Sequence, residues 1–139
     1  IMTCLNNDPV RATEGTQTRE FNFVGNLVDG MILGATTDGA IGQIINIGAA
    51  EEIAIRDLIT TIKEATGSSS ELQFGSLPPR PTEITRMKCD NKLAKDILGW
   101  TPELDFSSGL DITIEWFRAF REVYGNPGSQ LNLLSPSTR

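Results

Sequence analysis

Apolar side chains return at Leu27, Val28, Met31, Ile32 and Ala35, the three- and four-residue spacing of one helix face. Asn26 stands before this stripe as a candidate N-cap, and Thr37-Asp38-Gly39 breaks it. Ile55, Leu58, Ile59 and Ile62 mark a second amphipathic helix with Arg56, Asp57, Lys63 and Glu64 mostly on its wet side. Gly67 ends it, and Ser68-Ser69-Ser70 reads as a loop. Leu93, Ala94, Ile97 and Leu98 form a shorter stripe between Asp90, a candidate cap, and Gly99, a stop. The last stripe, Leu110, Ile114 and Phe117 widened by Trp116 and Phe120, has Ser107 as its candidate cap. Ile1 to Leu5 reads as the end of a further helix.

Elsewhere the period is two. Phe21 and Phe23 alternate with Glu20 and Asn22, as in a half-buried strand. Val10 to Thr13 and Thr18 to Val24 are expected to form a hairpin around Glu14-Gly15, after a turn at Asp8-Pro9. Short strands are also expected at Gln43 to Ile47, closed by Gly48, and at Glu71 to Phe74, with a turn at Gly39 to Gly42. Leu77 to Pro81 holds three prolines and is therefore extended. The pattern predicts an α+β, layered fold: a small mixed sheet with about four helices. The expected organisation is one domain over 1–124, incomplete at its N-terminus, followed by a mobile tail over 125–139 rich in Gly, Pro and Ser.

The length of 139 residues suits one domain, and 39% hydrophobic with 22% charged residues is a globular balance. A net charge of -6 argues against nucleic acid as a partner, which needs a basic field, but leaves room for a small anion held by local arginines. Cys4 and Cys89 are too few for a disulfide framework and fit reduced thiols in the cytoplasm. No apolar run is long enough to cross a bilayer, and no basic segment leads into an apolar one at the N-terminus, so neither membrane nor signal peptide is expected. The first residue is Ile1, which fits either removal of an upstream segment or a piece of a longer protein.

Candidate chemistry concentrates between Arg80 and Asp90, where Arg80, Arg86 and Lys88 flank the acid Glu83 in a stiff, proline-rich loop. Such a loop suits a ligand with two phosphates and a polar ring. Arg19 reads two ways, as a surface arginine paired with a carboxylate or as a clamp on phosphate. Arg86 reads equally as a binding residue of the loop or as a strand-edge salt bridge, Lys92 and Lys95 as a solvated helix face, Asp96 as helix surface, and Trp100 and Trp116 as core. The chain has no histidine to serve a nucleophile, no metal-ligand cluster, and no Gly-x-Gly-x-x-Gly.

Taken in order, these residues resemble a known family. Gly15 to Phe21 resembles the Gly-x-x-x-Arg-acid-aromatic strand of NAD-dependent nucleotide-sugar epimerases and dehydratases, the extended short-chain dehydrogenase/reductases. Phe23-Val24 with Leu27 to Gly30 resembles their strand-to-helix step, and Ile45 to Gly48 their Asn-aliphatic-Gly strand end. Arg80-Pro81-Thr82-Glu83 resembles their Arg-Pro-x-acid loop. Asp90 to Lys95 with Leu98-Gly99-Trp100 and Pro102, then Gly109-Leu110 to Trp116-Phe117, resemble their last two helices. The likeness runs over about residues 1–121 and to the C-terminal, substrate-binding lobe alone. The Arg86-Met87 segment, read as a strand, and the Asp90-Asn91 helix lean toward the dehydratase-like members.

The resemblance implies a lobe that holds a nucleoside-diphosphate sugar against a Rossmann domain, with Arg19 and Arg80 on the diphosphate and Glu83 on the ribose. It implies NAD in the parent enzymes and none bound by this chain, because the glycine-rich loop and the Tyr-x-x-x-Lys pair belong to the other half. The single tyrosine, Tyr124, has no lysine four residues on. The implied function is the nucleotide-sugar-binding part of a 4-epimerase or 4,6-dehydratase, without catalysis of its own. Two alternatives stand beside it: a free-standing binding module and an assembly module that has lost the ligand. The expected partners are the missing Rossmann half, a partner chain, or a second copy in a homodimer, with Ile1, Met2 and Leu5 as the adhesive element.

Overall fold

The computed structural model describes residues 1–121. The expected tail at 125–139, the 1–124 boundary and Tyr124 lie outside the described residues. In chain order the elements are α1 (Met2–Leu5), β1 (Val10–Arg11), β2 (Thr18–Arg19), α2 (Val24–Thr36), a 3-10 turn (Asp38–Ala40), β3 (Ile53–Ala54), α3 (Ile55–Thr66), β4 (Leu72–Gln73), α4 (Lys92–Leu98) and α5 (Phe106–Ala119). The class is α+β, with parallel and antiparallel pairing carried by two short ladders. In one, β1 runs parallel to β4, with Val10 opposite Leu72; in the other, β2 runs antiparallel to β3, with Arg19 opposite Ile53.

The expected hairpin does not form. β1 and β2 each pair elsewhere, and the segment between them serves α3. Ala54, at the N-cap of α3, has no side chain that can accept a hydrogen bond. The amides of Ile55 and Arg56 donate instead to the carbonyls of Gln17 (3.0 Å) and Gly15 (2.9 Å). Gly15 has φ +72°, and a Cβ there would lie 2.9 Å from the Arg56 nitrogen, so the close approach requires glycine. Gln43 to Ile47 is not a strand either: it has no ladder partner among the described residues, and Ile44 is 89% exposed. Arg86-Met87 is likewise outside any ladder.

α2 departs most from expectation. It forms where predicted, but much of its apolar stripe faces outward: Val28 is 46%, Met31 64% and Ile32 56% exposed. The buried side is narrow and contains Asn26 and Gly30. Gly30 brings the helix backbone against Ile47 and the Trp100 indole, whose Nε1 donates to the Asn26 carbonyl at 3.0 Å. Asn26 is therefore not the cap, a place taken by Phe23. Its amide donates to Asn22 Oδ1 (3.1 Å) and the Leu104 carbonyl (2.8 Å), and accepts from the Leu104 amide (3.1 Å).

Two apolar clusters hold the fold. Ala94, Leu98 and Trp100 form one, with Leu33, Ile45, Ile47 and Ile97 packed against it. Gly99, at φ +63°, closes α4 as expected, letting the amides of Gly99 and Trp100 turn back to Lys95 and Ala94. Asp90 accepts from the Lys92 amide at 3.0 Å, while Asn91 occupies the N-cap itself. The other gathers on α5, where Ile114 and Leu110 are buried and Leu110 lines a cavity with Phe21, Phe23, Leu58 and Phe106. Asp105, not Ser107, caps α5, accepting from the Ser108 amide at 2.8 Å. Trp116 is not core: it is 43% exposed, with its ring 5.1 Å from both Phe117 and Phe120. Ile1 is half-buried in the cavity beneath Phe21, and Cys4 of α1 is buried, so α1 is tied into the fold and the larger exposed apolar surface belongs to α2.

Candidate functional site

The proline-rich loop is fixed to β2 at adjacent residues. The Thr18 amide donates to the Thr85 carbonyl at 2.9 Å. Arg19 Nη1 donates to the carbonyls of Ile84 and Thr18, each at 2.7 Å, and Nη2 pairs with the Glu83 carboxylate. On the other face of the ladder, the Thr18 hydroxyl donates to Glu52 Oε1 at 2.7 Å, and Arg86 bonds both Glu52 oxygens at 3.2 and 2.5 Å. These bonds hold the Glu52 carboxyl well below its ordinary value, down to about 2, with the Arg86 hydrogen bond the largest cause and that of Thr18 next. The same pairing raises Arg86, which takes the second of its two readings, the salt bridge.

The structure thus brings Arg19 and Glu83 together although 64 residues separate them, with the Arg19 side chain 23% and the Glu83 side chain 25% exposed. Arg80 is placed differently. It opens the turn that Glu83 closes, where the Glu83 amide donates to the Arg80 carbonyl at 3.1 Å. Its guanidinium is exposed and has no ion pair among the described residues. Beside the turn lies a cleft of about 320 Å³ whose lining includes Thr13, Glu14, Thr16, Gln17, Glu83 and Thr85. It offers hydroxyls, a carboxamide and two carboxylates beside apolar proline and leucine surface, a set suited to a ligand with hydroxyl groups. Residue-type reasoning missed Thr18 and Glu52, since neither stands in an unusual local pattern.

A second buried polar cluster lies behind the loop. Glu20 accepts from the Cys89 amide at 2.8 Å, and the Asn91 carboxamide donates to the Gly48 carbonyl at 2.7 Å. A Cβ on Gly48 would stand 2.0 Å from Glu20 Oε1, so glycine is required there by space. Burial, then the Glu20 charge, pushes the Cys89 thiol upward, away from the reactive thiolate. Both cysteines are free. Among the described residues no group of three metal-ligating side chains gathers, and no helix is long and apolar enough to cross a membrane.

Fold and site together define a small α+β lobe that presents arginines and a carboxylate at a proline-stiffened loop. The sequence profile of the GDP-mannose 4,6 dehydratase family matches residues 2–113, and the chain belongs to that family of NAD-dependent nucleotide-sugar epimerases and dehydratases. It is 35% identical over 105 residues to a UDP-glucose 4-epimerase of Mycolicibacterium smegmatis, covering 76% of this chain and 33% of that protein. It is also 35% identical to UDP-glucuronic acid decarboxylase 1 of Danio rerio, covering 81% of this chain and 26% of the relative. The crystal structure of a Thermotoga maritima UDP-glucose 4-epimerase with UDP-glucose superposes with a TM-score of 0.79 at 26% identity, over 86% of this chain and 38% of that one. The Bordetella bronchiseptica enzyme WbmF, in complex with NAD+ and UDP, superposes with a TM-score of 0.74 at 33% identity, over 88% and 35%. The chain therefore spans about a quarter to a third of the length of the curated relatives it matches.

Proposed function

We propose that this chain is the nucleotide-sugar-binding part of an NAD-dependent 4-epimerase or 4,6-dehydratase, with Arg19 and Arg80 serving the diphosphate and Glu83 the ribose. The observation that carries the reading is the meeting of β2 and the proline-rich loop, which gathers Arg19 and Glu83 and leaves Arg80 exposed at the other end of the Glu83 turn. Two guanidinium groups from separate segments suit a diphosphate, whose charge is concentrated and whose oxygens accept in pairs. The structure with UDP-glucose and that with NAD+ and UDP support the ligand class. Catalysis is assigned to the parent and not to this chain, which has neither Gly-x-Gly-x-x-Gly nor Tyr-x-x-x-Lys. Its partner is the rest of such an enzyme or a second copy, and the free thiols suit the cytoplasm.

Titration of the chain with UDP-glucose, followed by NMR shifts, tests the assignment. We expect affinity near millimolar, roughly -4 kcal/mol, with binding lost in Arg80→Ala and reduced in Arg19→Ala. Equal binding by the chain and Arg80→Ala would remove that arginine from the site.

A further inference from the structure

We infer that Glu83 is a latch on Arg19, and that a diphosphate enters the site by taking its place. This rests on the reading above and adds an exchange of partners to it. Arg19 Nη1 spends both its N–H groups on the carbonyls of Thr18 and Ile84, and Nη2 gives one to the Glu83 carboxylate. A two-pronged bond to a phosphate is therefore left to the Nε–Nη2 edge, where the Glu83 carboxylate on Nη2 competes with the incoming anion. The pair is largely enclosed, at 23% and 25% exposure, so water screens it less than a surface pair. Two acceptors on Arg19, Glu83 and the Ile84 carbonyl, belong to the loop that carries Arg80. Glu83 and Arg80 are the ends of one turn, so the carboxylate and the second arginine are carried by the same short backbone segment. Glu83 also lines the cleft with Thr13, Glu14, Thr16, Gln17 and Thr85, where a released carboxylate meets the hydroxyls of a ligand. Exchange thus turns an internal ion pair into two ligand contacts: phosphate on Arg19, hydroxyl on Glu83.

Pyrophosphate is the discriminating probe, because it has the charge and lacks the ribose. In Glu83→Gln the ionic competitor is gone, and we expect pyrophosphate to bind the full chain about three- to tenfold more tightly in calorimetry. UDP should gain less, having lost the carboxylate that meets its ribose. The gain must run through Arg19: in Arg19→Ala/Glu83→Gln, pyrophosphate should bind no better than to Arg19→Ala. Glu83→Asp, which withdraws the charge by one methylene, should shift pyrophosphate in the same direction by less, and thermal melts confirm that each variant is folded. Unchanged pyrophosphate affinity in Glu83→Gln, or a gain that survives loss of Arg19, overturns the latch; if UDP binding still depends on Arg80, the binding proposal stands without it. Failure of the chain to bind either compound overturns both.

Discussion

At the residue scale, what matters is which acceptor each arginine reaches. Arg19 and Arg86 lie on opposite sides of the β2–β3 ladder, and each holds a glutamate distant in sequence. The sequence made Arg19, Arg80 and Glu83 visible as chemistry because they stand beside prolines and in a recognisable order. It left Arg19 open between an ion pair and a phosphate clamp, and the structure shows the pair. Glu52 was invisible, since it became a site residue only when Ile53 found its place opposite Arg19. Its titration gives a signature in acid. A carboxyl whose folded pKa lies below its unfolded one binds fewer protons when native. Its stabilisation is complete above the ordinary value near 4.5 and is lost as pH falls toward about 2. The difference in melting temperature between the chain and Glu52→Gln should be constant above about pH 5 and shrink steadily below it. A difference that is flat through this window would mean that Glu52 does not hold the loop.

At the element scale, helix positions were legible and helix ends were less so. The apolar stripes located α2, α3, α4 and α5, and Gly67 and Gly99 marked C-termini, both in the left-handed region. N-termini failed where the acceptor came from elsewhere. Asn26, a good cap by type, went into the fold, where its buried carboxamide satisfies both backbone groups of half-buried Leu104. α3 is capped by the carbonyls of Gly15 and Gln17, a device no spacing rule contains. In α5 the sequence offered Ser107, but the Ser108 amide donates to Asp105, two positions before Ser107. The consequence is a clean contrast: Asp105→Ala should lower the midpoint of chemical denaturation, and Ser107→Ala should leave it nearly unchanged. The lowered Asp105 pKa, caused first by the Ser108 amide, agrees with a carboxylate acting as the cap. Equal losses in the two variants would return the helix boundary to Ser107.

At the scale of the whole molecule, the stripe on α2 explains why periodicity can be right about an element and wrong about its orientation. Leu27, Val28, Met31, Ile32 and Ala35 satisfy the rule for a core-facing helix, yet the helix turns Asn26 and Gly30 inward, because Gly30 gives the close approach to Ile47 and Trp100. The rule assumes that the core lies within the chain. A family member spanning about a third of its relatives can direct that stripe toward surface supplied from outside, and Ile41 and Ile44, 80% and 89% exposed just beyond α2, extend the apolar area. In isolation such a surface draws a second copy, since burying each large apolar side chain gains about 1.5–3 kcal/mol before the cost of association. We therefore expect the chain to self-associate through α2 and not through Ile1, Met2 and Leu5, which are half-buried. Met31→Glu and Ile32→Lys together should shift light scattering across a dilution series toward monomer while leaving the melting temperature of the dilute chain nearly unchanged, because neither side chain supports the core. A mass that stays the same in this variant and falls instead in Ile1→Ser/Leu5→Ser would place the contact on α1.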